Sequence, residues 1–230
     1  MICPHCLTGI HEDFNEWSRG DSKDSEYYWA AYLMRCSECG KNIIKLCKRF
    51  HNAPTIYGEI VYPRSSGRPP VPAEVDEKFA IDYKEACAVL KDSPKASSAL
   101  SRRCLQLILE EKAELKVLNV KTGKVEDKKI VPGVLDSEIQ QVLDNGGLPS
   151  AIADNLDAVR VIGNFAAHPI KSQRSGEIVE VEPDEAEWNL DVVESLFDYY
   201  FVQPELAQQK RAAMNQKLQE AGKKPLKTSA

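Results

Sequence analysis

The sequence predicts a mainly α fold, a bundle of four or five helices preceded by a small β segment. Three observations carry this expectation. Cysteines open the chain as two pairs, Cys3-Pro-His-Cys6 and Cys36-Ser-Glu-Cys39, set among short aromatic and β-branched stretches. A run with four prolines, residues 63–72, then excludes both a continuing ladder and a helix. From residue 74 onward apolar side chains recur at helical spacing. The expected organisation is a cysteine-pinned ribbon at 1–62, a Pro-rich linker at 63–73, a helical bundle at 74–203 and a basic tail at 204–230.

Each cysteine pair has the two-residue gap that points both thiolates of one tight turn at a single ion. Two pairs make a tetrahedral set for Zn²⁺, with Cys3, Cys6, Cys36 and Cys39 as ligands. Gly40 follows the second pair and suits a sharp turn. The 29 residues between the pairs fit a zinc ribbon with an elaborated hairpin. Four thiolates leave no position for water, so the ion is read as structural. Two disulfides would require an oxidising compartment. However, no charged-then-apolar segment opens the sequence and the seven cysteines are an odd number, so a cytoplasmic, reducing setting is expected. His5 and His11 are read as bystanders, and Cys47, Cys87 and Cys104 as small core residues. No apolar run approaches the ~20 residues that cross a bilayer, so no membrane is expected.

Within the ribbon, residues 27–35, 43–46 and 56–62 read as strands by their β-branched and aromatic content. In the bundle, Phe79, Tyr83, Ala86, Cys87 and Leu90 mark a first helical stripe. Ser93 as N-cap and Pro94 at the first helical position start a second helix over about 94–115. Residues 116–133 form a charged excursion, a loop or short hairpin. A third helix carries Leu135, Ile139, Val142 and Leu143 and stops at Asn145-Gly146-Gly147. A fourth runs over about 149–167 and a fifth over about 183–201. The tail is one more exposed helix or disordered.

Charge is uneven. Residues 1–62 hold seven basic and eight acidic side chains, 63–202 hold 17 and 25, and 203–230 hold six and two. An acidic middle excludes broad phosphate binding, which Lys and Arg dominate, so any nucleic acid is expected at a local patch in the ribbon or the tail.

The fourth helix holds the most specific stretch, Arg160-Val-Ile-Gly163-Asn164-Phe-Ala-Ala167-His168-Pro169. Gly163, Ala166 and Ala167 make a face with little bulk, suited to a homodimer contact. Arg160, Asn164 and His168 recur every fourth residue beside it. With Ser93-Pro94, Ala99-Leu-Ser-Arg102-Arg103-Cys-Leu105 and Gly147-Leu148-Pro149, this stretch resembles an uncharacterised bacterial domain. That domain belongs to the HEPN superfamily and is often attached to restriction-endonuclease subunits. The resemblance covers residues 73–203 and implies a HEPN-like helical bundle, frequently dimeric, near prokaryotic defence genes. Active members are metal-independent ribonucleases that use an Arg and a His a few residues beyond it. Here the residue five before His168 is Gly163. On an unbroken helix Arg160 and His168 are about 12 Å apart along the axis and rotated by about 80°. Gln106 also stands where an acidic residue is expected.

The reading that follows is a non-catalytic binding or regulatory module in nucleic-acid transactions or phage defence, with nucleic acid or a defence-system protein as partner. The first alternative is a metal-independent ribonuclease in which Arg160, Asn164 and His168 act at a dimer interface. The second is a protein-interaction scaffold that uses Trp17, Tyr27, Tyr28 and Trp29.

Overall fold

The computed structural model describes residues 1–20, 26–50, 56–64, 67–120, 122–167 and 181–227. The chain divides into two compact units, Met1–Pro69 and Pro70–Ala230, and the division falls inside the proline run.

The first unit is an antiparallel four-stranded sheet in sequential order, β1 (Asn15–Gly20), β2 (Tyr27–Arg35), β3 (Asn42–Phe50) and β4 (Ile56–Tyr62). The β2–β3 register runs from Tyr27 opposite Phe50 to Arg35 opposite Asn42, so the second cysteine pair occupies the turn that joins them. Alternation sends Met34 and Ile43 to one face, where they pack with Ile10, Cys3 and Cys36 as a small core beside Phe14 and Ile60. Farther along the same face Ala30 and Cys47 are buried. Gly58 lies opposite Cys47, and a Cβ there would run into the Cys47 sulfur.

The second unit is built from α1 (Glu77–Val89), α2 (Pro94–Lys112), a hairpin of β5 (Glu114–Leu118) and β6 (Val125–Lys129), α3 (Leu135–Asn145), α4 (Ser150–Ala167), α5 (Pro183–Phe197) and α6 (Gln203–Glu220). Ser93 caps α2, its hydroxyl accepting from Ala96 N–H at 3.2 Å, with Pro94 at the first helical position. α3 ends on Gly146, left-handed at φ 69°. α2 lies at the centre, packing on α1, α3, α4 and α5. Its Leu105, Ile108 and Leu109 meet Phe79, Leu156, Leu190 and Phe197 in the core. Asn189 Nδ2 donates to Ser98 Oγ at 2.6 Å inside this packing, and Tyr83 donates to Glu194 Oε1 at 2.7 Å. Between α5 and α6 the helix widens into a π turn over Asp198–Val202. Pro204 lacks the N–H that would bond the Tyr200 carbonyl, and its ring would press on that carbonyl, so the helix widens just ahead of it. The tail is helical as α6, with no buried residue.

The mainly α expectation, a HEPN-like bundle with a small β appendage, is overturned. Among the described residues, six strands in two antiparallel sheets stand beside the helices, and the chain is mixed α/β. Two strands left little trace in the sequence. β6 is Val-Glu-Asp-Lys-Lys, exposed throughout, and β1 is Asn-Glu-Trp-Ser-Arg-Gly, interrupted by a register shift between Glu16 and Ser18. Neither carries the alternation that burial on one face imposes.

Candidate functional site

The two cysteine pairs close matching turns. In the first, Leu7 N–H donates to the Cys3 carbonyl at 2.9 Å and Cys3 N–H to the Thr8 carbonyl at 2.9 Å. In the second, Gly40 N–H donates to Cys36 at 3.0 Å and Cys36 N–H to Lys41 at 2.9 Å. The residue after each pair is left-handed, Leu7 at φ 58° and Gly40 at φ 68°. Glycine adopts this freely, whereas at Leu7 it costs about 1–2 kcal/mol, which the turn overrides. Main-chain N–H groups point at the sulfurs: His5 to Cys3 at 3.4 Å and Cys39 to Cys36 at 3.5 Å.

The turns bring Cys3, Cys6, Cys36 and Cys39 together with all four Sγ atoms within 4.8 Å of one another. Across the turns Cys3 Sγ lies 3.9 Å from Cys39 Sγ, and Cys6 Sγ lies 3.9 Å from Cys36 Sγ. Disulfide sulfurs lie about 2.05 Å apart, so these cysteines are unbridged. A metal about 2.3 Å from four tetrahedral sulfurs would hold them about 3.8 Å apart, and the cluster fits that spacing. The four cysteines therefore lie close enough to hold a metal ion. Their ionisation differs between the turns. The Thr8 N–H lowers the Cys6 thiol to about 6. At Cys39 the Lys41 N–H acts likewise, but burial and the neighbouring sulfurs outweigh it and lift the thiol to about 11. Four thiolates this close repel, and a cation relieves that repulsion. His5 stays outside the set, its Nε2 2.8 Å from the Asn42 carbonyl and its ring edge-on to Tyr62.

In the helical unit, Arg160 Nε donates to Asp157 Oδ1 at 2.9 Å, and its Nη1 lies 3.6 Å from Asp136 Oδ1 on α3. The hydrogen bond to Asp157 holds this guanidinium further above its ordinary value. Asn164 and the Gly163/Ala167 stretch lie on α4, with their side chains outside the described residues, as is His168 entirely. The two arginines of α2 diverge. Arg103 forms a two-pronged pair with Asp82, both bonds 2.7 Å, while Arg102 is partly buried and donates to the Val159 carbonyl of α4 at 2.9 Å. Sequence reasoning expects one of the two to pack its stem and pair an acid and the other to face solvent, without saying which; Arg103 takes the acid, while Arg102 turns inward to a carbonyl.

A family model described as "Domain of unknown function (DUF4145)" matches residues 84–220, more than half the chain. The chain belongs to the DUF4145 family. No curated protein and no solved structure matches it.

The DUF4145 region also holds a buried carboxylate, Glu138, which sequence analysis did not single out. Its Oε1 accepts from Gly133 N–H at 2.8 Å and Gln106 Nε2 at 3.0 Å, and its Oε2 is buried with no hydrogen-bond partner among the described residues. Gln106 Nε2 also lies 3.2 Å from Glu110 Oε1, so this amide stands between two carboxylates where a third acid would repel both. Burial raises the Glu138 carboxyl above the usual range. The folded state then holds this proton more tightly than the unfolded chain does. Its stabilising effect is complete below the unfolded value of about 4.3 and is lost as pH rises through the folded value. Glu138→Gln keeps the acceptor and removes the ionisation. It is expected to be more stable than wild type at pH 7.5 and to match it near pH 4. Urea unfolding followed by the helical circular-dichroism signal at both pH values measures this, and a loss at pH 7.5 would refute it.

Among the described residues, no helix is long and apolar enough to cross a membrane.

Proposed function

We propose that the protein is a non-catalytic binding or regulatory module in prokaryotic nucleic-acid transactions or phage defence, with a structural Zn²⁺ holding its cytoplasmic ribbon. The engagement of Arg160 by Asp157 and Asp136 carries the non-catalytic reading. A guanidinium that stabilises charge on a reacting phosphate needs free donors and uncompensated charge, and two carboxylates already draw on this one. The four-sulfur cluster supports Zn²⁺ by its donor type, and supports a structural ion because four protein ligands complete a tetrahedron. The reading also includes descent of the DUF4145 region from the HEPN superfamily and a homodimer through Gly163 and Ala167. Membership in DUF4145 supports it only as far as the family.

The test is an RNA-cleavage assay on pure, metal-loaded protein, run beside His168→Ala without chelator. The expected result is no cleavage above background for either protein. RNA cut by the wild type and spared by a folded His168→Ala would overturn the proposal in favour of the ribonuclease.

A further inference from the structure

We infer that the outer face of the ribbon sheet is a stacking platform for single-stranded nucleic acid, with Trp29 as the base-stacking ring and Lys48 as the phosphate contact. This rests on the binding-module reading above and gives it a ligand class and a surface. Trp29 and Lys48 are directly opposite each other on β2 and β3, so both side chains leave the sheet on the same side, away from Met34 and Ile43. The neighbouring pairs on that side are Tyr27 with Phe50 and Ala31 with Leu46. Trp29 is 44% exposed. On the β1 side the residue opposite it is Gly20, which brings no side chain, and Ala31 follows it along the strand. The indole therefore has small neighbours at Gly20 and Ala31, with Lys48 and Tyr27 on its other sides.

Lys48 is held in place. Its Nζ lies 3.6 Å from the centre of the Tyr27 ring and 5.6 Å from that of Phe50, and Tyr27 in turn meets Trp29 edge-on at 6.3 Å. A cation seated on one ring and adjacent to a half-exposed indole is the pairing that single-stranded nucleic acid requires. A base stacks on the indole while the ammonium meets the phosphate beside it. On this face the strands place Arg35 and Lys48 against one acid, Glu59, a small positive surplus that suits a phosphate backbone. Lys45 and Arg49 stand on the opposite face, with Met34 and Ile43. Of the two strand acids, Glu16 is paired with Arg49 on the opposite face, at 3.4 Å. A duplex hides its base faces and would engage the lysine alone.

The experiment is fluorescence anisotropy of full-length, metal-loaded protein with fluorescein-labelled dodecamers of dT and of U, and with a duplex of the same length. The single strands are expected to bind more tightly than the duplex. Log affinity should fall by about 0.7 per phosphate contact for each tenfold rise in salt. Trp29→Ala should weaken binding roughly tenfold or more, and Trp29→Phe should restore most of it. Lys48→Gln should make the salt slope shallower by about 0.7. Trp188→Ala, on the helical unit, should change nothing. Metal content equal to wild type shows that a variant keeps its ribbon, and Trp29→Leu replaces Trp29→Ala if the latter loses metal. Unchanged binding in metal-loaded Trp29 and Lys48 variants would overturn the platform while leaving a nucleic-acid module that binds elsewhere. Absence of wild-type binding would also overturn it and leave the module to a protein partner. RNA cleavage in the separate assay would instead sink the non-catalytic reading, whichever way anisotropy falls.

Discussion

Cys36→Ser is expected to unfold the first unit and leave the helical signal of the second in place. The ribbon's buried cluster is small: Cys3, Ile10, Met34, Cys36 and Ile43, two of which are site cysteines. Its three non-cysteine side chains, at about 1.5–3 kcal/mol each, stabilise less than the ~10–16 kcal/mol that a four-ligand metal supplies in small zinc peptides. Serine at position 36 removes a ligand and the acceptor of the Cys39 N–H. The second unit has its own core around Phe79, Leu105, Leu190 and Phe197, and none of those residues belongs to the ribbon. Metal content should fall below one ion per chain, protease should cut within residues 1–69, and ellipticity at 222 nm should hold. Chelation of the wild type should reproduce all three. Joint loss of both signals in one transition would show that the units share stability.

The cysteine turns were legible because the two-residue gap that would let a pair of thiolates share one ion is written in the sequence and survives any detail of the strands. The start of α2 was legible for a similar reason, since Ser93 and Pro94 act within one turn of themselves. Fold class was not. It depended on strands such as β6, whose residues are all exposed and which exist through pairing with β5 rather than through their own pattern. The π turn was hidden as well: Pro204 reads as a stop, and only the packing of Phe201 beyond α5 shows that the chain stays helical through it. At the α4 stripe the sequence named Arg160 but could not place Asp136, which comes from another helix 24 positions earlier. The ribbon aromatics were read from sequence only as a grip for a protein partner, since the facing of Trp29 and Lys48 is set by register.

Phe197→Ala is expected to destabilise the helical unit more than any surface change in α5 or α6. The Phe197 side chain is fully buried at the end of α5, and its ring meets Tyr83 of α1 edge-on at 5.4 Å and Phe201 of the π turn at 6.1 Å. Phe201 continues to Phe79 at 5.0 Å, so one ring links α1, α5 and the widened turn. Truncation removes the transfer energy of the ring, leaves a cavity that these aromatics fill only in part, and breaks two edge-to-face contacts. The expected cost is about 3–5 kcal/mol. For a unit of this size that is a fall in melting temperature of roughly 6–20 °C. Leu206→Ala, partly exposed on α6, should stay within about 0.5 kcal/mol of wild type. Metal content should be unaffected in both variants, because the four sulfurs belong to the other unit. A Phe197→Ala cost below about 1 kcal/mol would mean that the π turn repacks and that Phe201 moves into the vacated space. In that case Phe197→Ala combined with Phe201→Ala should cost more than the sum of the single changes.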